Sequence, residues 1–196
     1  MQRSFIFLAD GFEEIEVITP IDVMRRAGLD VKTVSITDRH DVTGAHGVTI
    51  KADLTFAEAD FVGAEWLIIP GGMPGAVNLH ESEALGTLLK THAADKGKIA
   101  SICASPAVVL APLGLLKGKE ATCYPGMEAG LKEGGAVVRD VPVMALDRII
   151  TANGPASAMR FALAIVANSL GDAAAQQVGG GMLYYPKSMN FYFYIR

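Results

Sequence analysis

Three short apolar runs constrain this chain most. One predicts a strand over residues 4–9, one spans Trp66–Ile69, and one spans Lys98–Ile102. Each stops at small or turn-forming residues: Asp10-Gly11, Pro70-Gly71-Gly72 and Cys103-Ala104-Ser105-Pro106. The Trp66–Ile69 run, apolar throughout, suits a parallel strand covered on both faces, because such a strand presents no side to water. Between the three runs lie stretches with helical spacing. Residues 13–27 place Ile15, Ile18, Val23 and Met24 at helical intervals, with Gly28 as the stop. Residues 82–94 carry Leu85, Leu88 and Leu89 on one face, with Ser82 as N-cap. Strands are also expected at 31–36, 48–50, 121–122, 136–138, 143–146 and 148–151, the last two as a hairpin. Helical turns are expected at 104–110 and 172–178. A helix is expected at 154–169, with Pro155 in its first turn.

Alternating strands and helices imply an α/β fold, a three-layer sandwich with a mostly parallel sheet and helices on both faces. The length of 196 residues fits one domain, taken as residues 1–186. Residues 187–196, rich in Phe and Tyr, form a tail expected to pack on the body or on a second subunit. With 51% hydrophobic and 19% charged residues the chain is not disordered. A net charge of −4 argues against a nucleic-acid or anionic-membrane partner, which would need clustered Lys and Arg. No apolar run has the length of a membrane span. The apolar start is too short for a signal peptide and reads as the first strand. Two cysteines, Cys103 and Cys123, make no disulfide framework, so a cytoplasmic location is expected.

In parallel sheets, sites form beyond the carboxyl ends of the strands. Cys103 stands where a buried strand runs into a helix with small residues around it, the layout of a nucleophile elbow. At a helix N-terminus a thiol faces unpaired N–H groups and the positive end of the dipole, which would depress its pKa. The alternative is a buried, inert packing residue. Glu16 lies one turn into the first helix among apolar neighbours, so turned inward it must be protonated or strongly hydrogen-bonded. Glu13 and Glu14 read as solvated charges near the N-terminal dipole. The N–H groups of Gly71, Gly72 and Ala104 could form an oxyanion hole. His40, His46, His80 and His92 all precede Cys103, whereas papain-like enzymes place the base after the nucleophile; an amidotransferase or peptidase therefore lacks its base. Cys123 reads as a spectator. No Cys, His or carboxylate group has a metal-ligand spacing.

These loops resemble the ThiJ/PfpI superfamily, in particular its parkinsonism-associated deglycase branch. The resemblance rests on Gly11-Phe12-Glu13-Glu14-Ile15-Glu16, Asp22-Val23-Met24-Arg25-Arg26-Ala27-Gly28, Pro70-Gly71-Gly72, Ile102-Cys103-Ala104-Ser105-Pro106, Gly154-Pro155 and Phe161-Ala162-Leu163-Ala164-Ile165-Val166. It implies a flavodoxin-like sandwich, usually a homodimer. The family's oxidation-prone cysteine falls on Cys103, its glutamic acid partner on Glu16, and its backbone donors on Gly72 and Ala104. Ascribed activities are the cofactor-free conversion of methylglyoxal to lactate, repair of glyoxal-modified amines and thiols, and oxidative-stress sensing or chaperoning. A thiazole monophosphate biosynthesis name carried by some members is a label rather than a mechanism. The chain departs from the pattern at Tyr124, where many members have histidine, and at Asn153 and His46, where arginine is common. These changes alter the polar lining around Cys103 and bear on substrate preference and proton transfer. The leading expectation is an enzyme acting on a small aldehyde or glycated adduct through Cys103 and Glu16. The rival is a redox sensor that oxidises at Cys103.

Overall fold

The computed structural model describes residues 2–184, so the expectation for the 187–196 tail falls outside the described residues. The main sheet has seven strands: β1 (Arg3–Leu8), β2 (Asp30–Ser35), β5 (Leu54–Thr55), β6 (Trp66–Ile69), β7 (Lys98–Ile102), β10 (Val143–Ala145) and β11 (Ile149–Ala152). Their spatial order is β10-β11-β7-β6-β1-β2-β5. Every pairing is parallel except β10 with β11, the expected hairpin. The central order β2-β1-β6-β7-β11 is that of a flavodoxin-like sheet.

Alternation along each strand feeds two cores. Phe5, Phe7, Leu67 and Ile69 face one side, while Ile6, Leu8, Trp66 and Ile68 face the other. Helices α1 (Glu14–Arg26), α5 (Ala158–Leu170) and α6 (Asp172–Gly181) cover the second side. Helices α2 (Gly75–Glu81), α3 (Glu83–Ala94) and α4 (Glu128–Glu133) cover the first. Local signals match this packing. Helix α1 stops where the N–H groups of Gly28 and Leu29 bond back to the carbonyls of Arg25 and Met24. The Ser82 hydroxyl accepts from the Leu85 N–H and caps α3, whose Leu85 and Leu89 are fully buried.

Two small sheets lie outside the main one. Strands β3 (Asp41–Thr43) and β4 (Thr49–Lys51) form an antiparallel ribbon, and β8 (Glu120–Ala121) pairs with β9 (Val137–Val138) in parallel. Sequence spacing found β4 but neither β3 nor β5, which are too short for a period of two to register. It also missed α2 and α4, helices of seven and six residues. The helical stretch after Cys103 differs in kind from the expectation. It is a single π-helical turn, Pro106–Leu110, in which the Ala111 N–H bonds to the Pro106 carbonyl five residues back. Among the described residues no helix is long and apolar enough to cross a membrane.

Candidate active site

The chain builds β1, moves outward to β2 and β5, then returns to β6, β7 and β11 on the other side of β1. The order therefore reverses between β1 and β6, and a crevice opens beyond their carboxyl ends. Three loops meet there: Asp10-Gly11-Phe12-Glu13 after β1, Pro70-Gly71-Gly72 after β6, and Cys103-Ala104-Ser105 after β7. Backbone bonds knit the first two together, with the Glu13 N–H on the Gly71 carbonyl at 3.0 Å and the Gly75 N–H on the Gly11 carbonyl at 3.1 Å.

Cys103 has φ +65°, a left-handed conformation uncommon for a residue with a side chain. Such strain persists only where the surroundings fix the residue. Here its N–H donates to the Ala152 carbonyl at the end of β11 (2.9 Å). Its own carbonyl accepts from the Tyr124 N–H (2.7 Å). The sulfur is faced by the N–H groups of Gly72 and Ala104 and lies against the carboxyl of Glu16. Glu16 is wholly buried, brought in by the inner face of α1. Its Oε2 accepts from the Gly71 N–H at 2.8 Å, and its Oε1 has no hydrogen-bond partner among the described residues.

The close approach explains both glycines. A Cβ on Gly71 would stand 2.6 Å from the Cβ of Cys103 and 2.7 Å from Oε2 of Glu16. Gly72 has φ +92°, and a side chain there would run into the backbone of Gly11 and Glu13.

Residues 2–168 match the DJ-1/PfpI family. The chain belongs to the DJ-1/PfpI family. Protein DJ-1 homolog B of Arabidopsis thaliana is 36% identical over 176 residues, covering 90% of this chain; the chain spans only 40% of that protein's length. The glutathione-independent glyoxalase DJR-1.2 of Caenorhabditis elegans is 39% identical over 167 residues, covering 84% of this chain and 88% of the relative. The structure of oxidised Toxoplasma gondii DJ-1 superposes with a TM-score of 0.89 at 36% identity, covering 94% of this chain and 99% of that one.

Within this DJ-1/PfpI crevice the electrostatics depart from the sequence expectation. Burial, chiefly, pushes the Glu16 carboxyl up to about 7, with help from the charge on Glu13 and against the hydrogen bonds from Cys103 and Gly71. The Cys103 thiol is not depressed. Burial, followed by the negative charge and hydrogen bond of Glu16, pushes it up to about 12, outweighing the N–H groups of Ala104 and Gly72. The physical reason is twofold. One π-helical turn supplies far less dipole than a full helix, and a carboxylate against the sulfur opposes a second negative charge. Thiol and carboxyl behave as one unit: it loses a first proton near pH 7 and holds the second far into the alkaline range.

The remaining predicted residues fall into two groups. Tyr124 and Asn153 flank Cys103. The half-exposed Tyr124 ring lies over Gly154, and Asn153, next to Ala152, accepts a 2.6 Å hydrogen bond from the Ser157 hydroxyl. Gly71 is set apart from the expected oxyanion donors, because its N–H is occupied by Glu16; Gly72 and Ala104 are the donors that face the sulfur. Cys123 is buried in the opposite core.

Glu14 is not a freely solvated charge. Its carboxylate accepts from the N–H of His46 (2.7 Å) and meets His46 Nδ1 at 2.8 Å, with Glu13 3.6 Å from the same nitrogen. The polar side-chain atoms of these three residues lie within 4.8 Å of one another, drawn together by the Glu14–His46 hydrogen bonds. Sequence spacing could not register this group, since His46 arrives from the β3–β4 loop thirty residues on. His40 meets Glu58, and His92 is half-buried against the Lys98 carbonyl. Ser105, a small residue of the elbow, has a buried hydroxyl that donates to the Pro70 carbonyl at 2.5 Å.

Proposed function

We propose that this protein is a cysteine-dependent, cofactor-free enzyme that converts small 2-oxoaldehydes, methylglyoxal foremost, to 2-hydroxy acids, and that acts on the adducts such aldehydes leave on amines and thiols. One observation carries the reading. A strained Cys103 sets its sulfur against a buried carboxyl, with two backbone N–H groups on the same sulfur.

In the scheme, the sulfur of the singly protonated pair attacks the aldehyde carbon. A C–S bond forms, and the pair's proton passes to the carbonyl oxygen, giving a hemithioacetal. The Gly72 and Ala104 N–H groups steady the negative charge as it moves from sulfur to oxygen. Glu16, now a carboxylate, takes the proton from the former aldehyde carbon, leaving an enediolate, and the hydroxyl proton passes from the former aldehyde oxygen to the former ketone oxygen. Glu16 returns the proton it took to the neighbouring carbon, which leaves a thioester of the 2-hydroxy acid. Water then cleaves the C–S bond, restoring the thiol and releasing lactate. A carboxyl poised near 7 suits a group that must both take and give a proton at neutral pH. The family relationship, with a relative named as a glutathione-independent glyoxalase, supports this chemistry. Tyr124 and Asn153 line the approach and are proposed to select the substrate. Cys103→Ser should abolish methylglyoxal turnover while the fold persists; retained turnover would exclude the mechanism.

The rival reading, a redox sensor, draws support from the oxidised state of the Toxoplasma gondii relative. Two peroxide molecules would supply the two oxygens of a Cys103 sulfinate, held by the same Gly72 and Ala104 N–H groups. Selective gain of two oxygens at Cys103, without aldehyde turnover, would favour it. Under either reading we propose a cytoplasmic homodimer. Ile15 and Ile18 of α1 and Val48 of the adjoining ribbon are about half exposed, and light scattering reads the assembly directly.

A further inference from the structure

The peptide group between Pro70 and Gly71 has both ends occupied. Its N–H donates to Oε2 of Glu16 at 2.8 Å, and its carbonyl accepts from the Ser105 hydroxyl at 2.5 Å. Both partners are fully buried. Ser105 sits two residues after Cys103, at the start of the π-helical turn. Its hydroxyl makes no bond to its own turn and reaches instead across to the loop after β6.

Two consequences follow from elementary chemistry. A donor on an amide oxygen draws electron density toward that oxygen and makes the N–H of the same amide a stronger donor. A peptide held at both ends also cannot rotate its N–H away from the carboxylate. We infer that Ser105 is a positioning residue for the Cys103–Glu16 pair, acting through the Pro70–Gly71 peptide to set the proton affinity of Glu16. This rests on the pair being the reactive centre and adds to it a control outside the atoms that touch substrate.

The titratable groups acting on Glu16 are Cys103 from the elbow and Glu13 from the start of its own helix, with His46 paired to Glu13 from the β3–β4 loop. None of these touches the Ser105 hydroxyl. Its removal therefore changes one influence, the Gly71 N–H, which favours the carboxylate form. Weakening that hydrogen bond raises the pH at which the pair loses its first proton.

The test is the rate at which iodoacetamide alkylates Cys103, followed by intact mass as a function of pH. This readout does not require aldehyde turnover, so it separates the present inference from the proposed reaction. In Ser105→Ala and Ser105→Gly the midpoint of the alkylation profile should rise by ~0.5–1 pH unit. Ser105→Thr, which keeps the hydroxyl, should return it to the wild-type position. A merely structural residue would lower stability without moving the midpoint. An unchanged midpoint in either folded variant lacking the hydroxyl, or a Thr variant displaced as far as the Ala variant, overturns the inference.

Discussion

Replacing Glu16 by Gln should make the folded protein more stable at alkaline pH while removing its chemistry. The carboxyl titrates at about 7 in the folded chain, against an ordinary value of 4.5. A raised folded pKa means that the folded state binds the proton more tightly, so stability falls as pH rises from the unfolded to the folded value. The interval, at ~1.4 kcal/mol per pH unit, makes the ionised carboxyl a cost of about 3 kcal/mol above pH 7. That is a large share of the ~5–15 kcal/mol that holds a domain of this kind together. Gln keeps the shape and cannot ionise, so it escapes the cost.

The assay is urea unfolding of both proteins at about pH 4.5 and about pH 8, read by the fluorescence of Trp66, the one tryptophan in the sequence. Titratable groups not coupled to Glu16 are common to both proteins and cancel in the difference. Between the two pH values that difference should move by about 3 kcal/mol in favour of the variant. A difference independent of pH would refute the claim that burial keeps Glu16 protonated in the neutral range.

Other outcomes follow from the same geometry. The alkylation rate of Cys103 should climb with pH through a midpoint near 7 and stay level to well above pH 9, the interval in which the pair holds one proton; a midpoint near 9 would indicate an isolated thiol. Gly71→Ala must push Cys103 and Glu16 apart, so it should destabilise by ~1–3 kcal/mol and slow alkylation, both measurable on one preparation. Leu89→Ala, a wholly buried α3 residue remote from the crevice, should cost ~2–5 kcal/mol in urea yet leave the alkylation midpoint in place. Trp66→Phe removes the 2.8 Å bond from the indole N–H to the Ser169 hydroxyl and should lower stability by ~1–3 kcal/mol, scored by thermal unfolding followed by circular dichroism.

The central strands were legible because burial on both faces leaves an unbroken apolar run, as at Trp66–Ile69, with bounds that match the structure. The elbow was legible because Cys103 stands where such a run ends among small residues. Glu16 was legible because a carboxylate on an apolar helical face has to be accounted for. What escaped depends on distance in the chain. The direction of the Cys103 pKa needed the strength of burial and the proximity of Glu16, which no spacing encodes. The Glu14–His46 contact joins segments about thirty residues apart, and the strands of the β3–β4 ribbon are only three residues each. Ser105 was hidden for a different reason, since serine fits the elbow as a small residue whether or not its hydroxyl is used.

Cys103 is locked into its left-handed turn from outside its own loop, by the carbonyl of Ala152 and the N–H of Tyr124. The brace thus comes from segments synthesised twenty to fifty residues later. A polypeptide still emerging from the ribosome carries at this position a plain sulfhydryl with no fixed orientation. Only when β11 docks beside β7 does the sulfur take the fixed orientation that sets it against Glu16.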